Sequence, residues 1–173
     1  MNKIYVQYYK SPVGELLIGV YDGHLCLCDW RYRKMRHAID KRICDKLKAE
    51  YFEEDTEVGN HTILQLEEYF HSARRDFDLP VLMVGTEFQK QVWNQLMQVE
   101  FGDTSTYMEL AKGIGNKDAV RAVANANGAN AISIIIPCHR IIGSDGKLDG
   151  YAGGLEAKRK LLILEQDMFA PER

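Results

Sequence analysis

Three short apolar runs occupy the first thirty residues, IYVQYY, GELLIGVY and HLCLCDW, and each is bounded by turn-forming residues. Short β-branched and aromatic runs punctuated in this way predict strands. Asp22-Gly23 separates the second run from the third, and glycine there accepts positive φ at little steric cost, so a tight hairpin and a three-stranded antiparallel meander are expected. Met35, Ile39, Ile43 and Leu47 then recur every fourth residue, the spacing of one helix face. The acidic stretch EYFEEDTE reads as exposed turn, and Ile63, Leu64, Leu66, Tyr69 and Phe70 predict a second helix over 61–73. Pro80 and Gly85 punctuate the stretch after it. The expected organisation is an N-terminal α/β domain over 1–80, a linker over 81–85 and a second domain over 86–173.

The second half carries helical patterns. Thr86 precedes Gln89 at capping-box spacing, and Phe88, Val92, Trp93, Leu96 and Met97 form a core-facing stripe. Thr106 and Glu109 repeat the spacing before Leu110-Ala111, and Gly113-Ile114-Gly115-Asn116 interrupts the helix, with Asn116 the expected cap of the next one, KDAVRAVANAN. Two helices across a glycine turn suit a helix-turn-helix. Ala119, Ala122, Ala124 and Ala126 keep the second helix slim, and Arg121 is the long cation among them, after Lys117 at the start. Such a helix can approach a DNA groove, with Arg121 on phosphate or in the place of a displaced base; equally, alanines permit tight packing with Arg121 in water.

Composition narrows the class. The 173 residues are 46% hydrophobic and 27% charged with a formal net charge of -3, which excludes a uniformly basic polyanion binder but not a local DNA-binding surface. No run is apolar and long enough to span a bilayer, and MNKIYVQYYK has no secretory-signal pattern, so a cytoplasmic protein is expected, or a nuclear one in a eukaryote. Cys26, Cys28, Cys44 and Cys138 are expected as reduced thiols. His24, Cys26 and Cys28 would need a distant fourth ligand such as His61 or His71 to bind zinc, and no metal site is expected.

The candidate chemistry lies in ISIIIPCHRIIG, where a β-branched run ends at Pro137 and Cys138-His139-Arg140 come immediately after. Proline ends an interior strand, which would let Cys138 emerge from the core into a pocket. A thiolate is a soft nucleophile, His139 can take its proton, and Glu165 in LLILEQD, on a predicted last helix, can orient His139. Attack on an acyl group gives a hydrolysable thioester; attack on an alkyl carbon gives a stable thioether and consumes the protein. A cysteine hydrolase, a non-catalytic binder of damaged DNA and a structural metal domain are the rival readings.

GTEFQKQVWNQL, TYMELAKGIG, AVRAVANANG, IIIPCHRIIG, GKLDGYAGG and KRKLLILE together resemble the O6-alkylguanine-DNA alkyltransferases, also called methylated-DNA–protein-cysteine methyltransferases, from Gly85 through Glu165. The N-terminal half resembles them more weakly, mainly at SPVG. The resemblance implies a small ribonuclease H-like α/β domain followed by a helical, winged-helix-like DNA-binding domain. It also implies irreversible, stoichiometric transfer from O6-alkylguanine in double-stranded DNA to Cys138, with O4-alkylthymine as a secondary substrate, by a monomer without a cofactor. By the same resemblance His139 and Glu165 activate Cys138, and Arg121 on its slim helix with Ala119 and Ala122 fills the gap left by the extruded nucleotide. Tyr107 aids rotation and hydrogen-bonds the guanine ring, Asn130 is a structural hinge, and Tyr151 and Gly153 shape the pocket, where the Cys138 carbonyl reads the guanine amino group. Glu100, Lys117, Ala131 and Ser133 depart from the family pattern, at or near common prolines, and Ala131 and Ser133 predict a looser loop after Asn130.

Overall fold

The three N-terminal runs form the expected meander in the structure, a computed structural model that describes residues 2–148 and 150–169. The strands are β1 (Asn2–Ser11), β2 (Gly14–Tyr21) and β3 (His24–Trp30). Asp22 and Gly23 join β2 to β3 with φ of 48° and 73°, the two positive values a two-residue hairpin needs. The meander is not the whole sheet. AEYFE, expected as part of an exposed turn, is strand β4 (Ala49–Glu53), paired in parallel with β1 from Asn2↔Ala49 to Val6↔Glu53, and the order is β3-β2-β1-β4. Only Ala49 of β4 is buried, and the exposed glutamates that hid the strand suit a sheet edge, where charge discourages further pairing.

Helices α1 (Arg36–Leu47) and α2 (Glu57–Phe70) accompany this sheet. Ile39, Ile43, Leu66 and Tyr69 are buried as their spacing requires, whereas Met35 and Leu64 are each 55% exposed. α2 starts earlier than its apolar stripe suggested because the Thr56 hydroxyl accepts from Gly59 N–H at 2.9 Å. Leu25 N–H donates to the Pro80 carbonyl at 2.7 Å and Leu82 N–H to the Leu25 carbonyl at 2.9 Å, so residues 80–82 run along β3. Cys26 and Cys28 are buried in β3, and all four cysteines are free. Among the described residues no group of three His, Cys, Asp or Glu side chains is placed to hold a metal ion.

The chain divides into two units, 1–85 and 86–173. The second contains α3 (Glu87–Leu96), β5 (Ser105–Thr106), α4 (Tyr107–Gly113), α5 (Val120–Gly128), β6 (Ile141–Ile142) and α6 (Leu155–Phe169). Thr86 and Gln89 form a complete capping box, with bonds of 3.1 and 2.9 Å. Val92, Trp93 and Leu96 are core, and Trp93 Nε1 donates to the Ala126 carbonyl at 2.8 Å, tying α3 to α5. Thr106 caps α4 through Glu109 N–H at 3.1 Å. The cap expected at Asn116 is not used: its carbonyl closes a turn onto Ala119 N–H at 3.0 Å, and α5 begins at Val120 after Ala119. The helix-turn-helix therefore has a longer turn and a shorter second helix than its sequence pattern suggests.

Candidate active site

The β-branched run before Pro137 is not a strand. Ile135 N–H bonds the Ser133 carbonyl at 2.8 Å and Ile136 N–H the Ile132 carbonyl at 2.9 Å, so the segment closes on itself in tight turns. Ile134 sits at φ 71°, a costly conformation for a β-branched residue that only its burial and neighbours can hold. Asn130 organises the knot. Its Oδ1 accepts from Ile132 N–H at 3.0 Å, and its Nδ2 donates to the Ile136 carbonyl at 2.9 Å and reaches the Cys138 sulfur at 3.2 Å. Ala131 and Ser133, the positions expected to loosen this loop, are buried within it.

Cys138 opens a 3-10 turn, Cys138–Arg140. Its side chain does not emerge as Pro137 suggested: the residue is 3% exposed. The turn leads into β6, which pairs in parallel with β5 through Ser105↔Ile141 and Thr106↔Ile142. Tyr107, half-buried at the start of α4, is thus held one residue from a strand whose partner directly follows the Cys-His-Arg turn. Lys158, fully buried on α6, donates to the Ile141 carbonyl and so ties α6 to the same segment.

His139 and Glu165 meet as expected, His139 Nε2 lying 2.7 Å from Glu165 Oε2. Arg140 grips the same carboxylate with Nε to Oε1 at 2.8 Å and Nη2 to Oε2 at 3.1 Å, and its Nη1 donates to the Val99 carbonyl at 2.7 Å. Burial raises the Glu165 carboxyl, but the hydrogen bonds and charges of His139 and Arg140 outweigh it and bring the group down to about 2. Burial pushes the His139 imidazole below its ordinary value, against the opposing pull of Glu165. The ring is therefore neutral at physiological pH. An ionised carboxylate at Nε2 places the ring proton there and leaves Nδ1 as an acceptor. Nδ1 is buried and meets no hydrogen-bond donor among the described residues. His139 thus carries an oriented ring nitrogen without its proton, and the buried Cys138 precedes it directly in the chain.

Tyr151 packs edge-on to His139, ring centroids 6.4 Å apart, and Gly153 lies half-buried two residues later. Arg121 and Ala122 are exposed on α5, and Ala119 is half-buried at its cap. Arg140 and Lys158 carry parts of the site that the sequence pattern did not assign. Lys158 had a signal: it stands seven residues before Glu165 and three before Leu161, on the buried stripe of an otherwise amphipathic helix.

Two family models match, the 6-O-methylguanine DNA methyltransferase ribonuclease-like domain over residues 4–83 and the DNA binding domain of the same proteins over 87–167. A methylated-DNA–protein-cysteine methyltransferase of Methanosarcina acetivorans is 41% identical over 94% of this chain and 98% of its own length. One from Haemophilus influenzae is 42% identical over 96% of this chain and 88% of its own. Among solved structures, the Mycobacterium tuberculosis O6-methylguanine methyltransferase superposes with a TM-score of 0.82 at 34% identity, covering 98% of this chain and 96% of that one. The M. tuberculosis OGT in complex with DNA gives 0.81 at 34%, covering 95% and 94%. With both halves matched by paired domain models and near-complete alignment to these relatives, the chain belongs to the methylated-DNA–protein-cysteine methyltransferase family.

Proposed function

We propose that this protein restores guanine in DNA by moving an alkyl group from O6 onto the sulfur of Cys138, once per molecule. The observation that carries the reading is the 2.7 Å bond from His139 to Glu165, which leaves a neutral imidazole with its second nitrogen bare beside a buried cysteine. The Cys138 proton passes to His139 Nδ1, directly or through one water, and Glu165 offsets the positive charge that develops on the ring. Sulfur then bonds the alkyl carbon as the carbon–O6 bond breaks. The electron pair of that bond returns to the base, which takes up a proton and leaves as guanine. A thioether does not hydrolyse, so the protein is spent. Atoms and electrons balance without a cofactor.

A sulfur with 3% residue exposure cannot reach a base inside the duplex, so the lesion must be turned out of the stack. Arg121, exposed on a helix that also carries Ala122 and Ala124, fills the vacated space, and Ala119 and Ala122 let the backbone approach the groove. Tyr107 hydrogen-bonds the base ring, Tyr151 and Gly153 line its pocket, and Asn130 holds thiol and loop in register. The protein acts as a monomer on duplex DNA in the cytoplasm, or in the nucleus of a eukaryote. With excess duplex carrying O6-methylguanine, lesion loss should stop at one per protein molecule and leave unmodified guanine in the DNA. Continued turnover would point instead to a hydrolase.

A further inference from the structure

Arg121, Ala124, Asn127 and Asn130 succeed one another at three-residue spacing along α5 and its continuation, where Asn130 N–H bonds the Asn127 carbonyl at 3.3 Å. Residues so spaced are neighbours on a helix, each about 4.5 Å further along the axis. The row descends from solvent into the protein: Arg121 is exposed, Ala124 half-buried, Asn127 6% exposed and Asn130 1% exposed. It starts at the cation assigned to the duplex and ends at the amide that touches the Cys138 sulfur at 3.2 Å. Asn127 is the last side chain before that amide. Its Oδ1 is buried and meets no hydrogen-bond donor among the described residues. A buried amide oxygen without a donor is destabilising, and a core position on a packed helix is normally apolar, so its presence calls for a ligand.

We propose that Asn127 is a base-reading residue: its Oδ1 accepts a hydrogen bond from the 2-amino group of the extruded guanine. This rests on the functional reading above and adds a residue that selects the substrate. Alkylation at O6 removes the hydrogen from N1, and N9 carries the sugar. The 2-amino group is then the sole N–H donor of the heterocycle, and it has two hydrogens: one for the Cys138 carbonyl, as the family resemblance implies, and one for a second acceptor. O4-alkylthymine has no such amine and gains nothing from Asn127, so the residue biases the protein toward purine lesions.

The test pairs two duplexes, one carrying O6-methylguanine and the other O6-methylhypoxanthine, which differs only by lacking the 2-amino group. Single-turnover methyl transfer to Cys138 is measured for the unmodified protein, Asn127→Leu and Asn127→Ala, with thermal unfolding of each. The unmodified protein should favour O6-methylguanine, and both variants should lose about tenfold on that base while changing little on the other. Asn127→Leu should also unfold no earlier than the unmodified protein, because it removes an unsatisfied acceptor. Equal rates on the two bases in the unmodified protein, or an equal loss on both in the variants, would overturn the assignment. An unmodified protein that alkylates Cys138 on both bases at one rate refutes Asn127 alone; one that never alkylates Cys138 refutes the functional reading itself.

Discussion

Each unit of this protein buries a carboxylate between basic side chains, and the two clusters serve different ends. Asp29, fully buried at the end of β3, accepts from Arg33 at 3.1 and 3.2 Å and from Arg36 at 3.1 Å. Burial raises its carboxyl against the pull of both guanidiniums. Those two partners are permanently charged, so neither can take a proton from a neighbour. Arg36 also bonds the Trp30 carbonyl and Asp40, which makes the cluster a strap between β3 and α1. Glu165, 1% exposed on α6, has one arginine and one histidine. Exchanging a guanidinium for an imidazole turns a fixed ion pair into a proton acceptor with one nitrogen still available. In the proposed mechanism, reactivity comes from that one exchange, next to a thiol, and not from burial or charge alone.

The sharpest break between the units is expected at their buried sulfurs. Cys138→Ala should abolish transfer entirely while the protein remains folded. Cys28→Ala in β3, where burial pushes the thiol up, should cost about 1 kcal/mol of stability and leave transfer per folded molecule intact. Single-turnover assays beside urea unfolding would show both. Next come the carboxylates. Asp29→Asn and Glu165→Gln should each destabilise by about 3–5 kcal/mol, since each leaves buried cations without their partner. Glu165→Gln alone should also slow transfer in the folded fraction, by about a hundredfold or more. If Asp29→Asn slows transfer equally, the two clusters do not differ in the way proposed.

Much of this contrast was readable in the amino-acid order. The Asp22-Gly23 hairpin and the Thr86–Gln89 box depend on local residue chemistry, which sequence carries directly, whereas the pairing of His139 with Glu165 spans 26 residues and was expected from the chemistry a thiol needs and from the family resemblance. β4 was hidden because an edge strand needs few apolar positions, and Glu50, Glu53 and Glu54 look like loop. The run before Pro137 suits an interior strand equally well by composition. It folds otherwise because the Asn130 side chain supplies hydrogen bonds that a neighbouring strand would have supplied. Asn116 failed as a cap for a related reason, its backbone carbonyl and not its side chain making the turn. Arg140 and Lys158 look like surface cations until the fold shows which carbonyls and carboxylate they meet.

Smaller effects separate the roles further. Arg121→Ala should slow repair in duplex DNA by about tenfold and have less effect on single-stranded substrate, where little stacking must be replaced. Equal losses on the two would reduce Arg121 to a phosphate contact. The smallest expected effect is on pH dependence. His139 titrates below its ordinary value in the folded protein, so the unfolded chain binds the proton first as pH falls. Stability should therefore decline from about pH 6.5 downward, by at most about 1.4 kcal/mol per unit from this residue. Glu165, held at about 2, adds stability that persists above its unfolded value and is lost only as pH falls from there toward about 2. Replacing His139 with Asn should flatten the first decline, and urea unfolding at about pH 7 and pH 5.5 would register it.

The most direct test traces the carbon itself. A duplex bearing O6-methylguanine with a deuterated methyl group is mixed with the protein, which is then digested and its peptides weighed. The labelled methyl should appear on the peptide containing Cys138, one per protein molecule, and on no other cysteine. Repaired DNA beside an unlabelled Cys138, with the label on another residue or released to solvent, would contradict transfer to that sulfur.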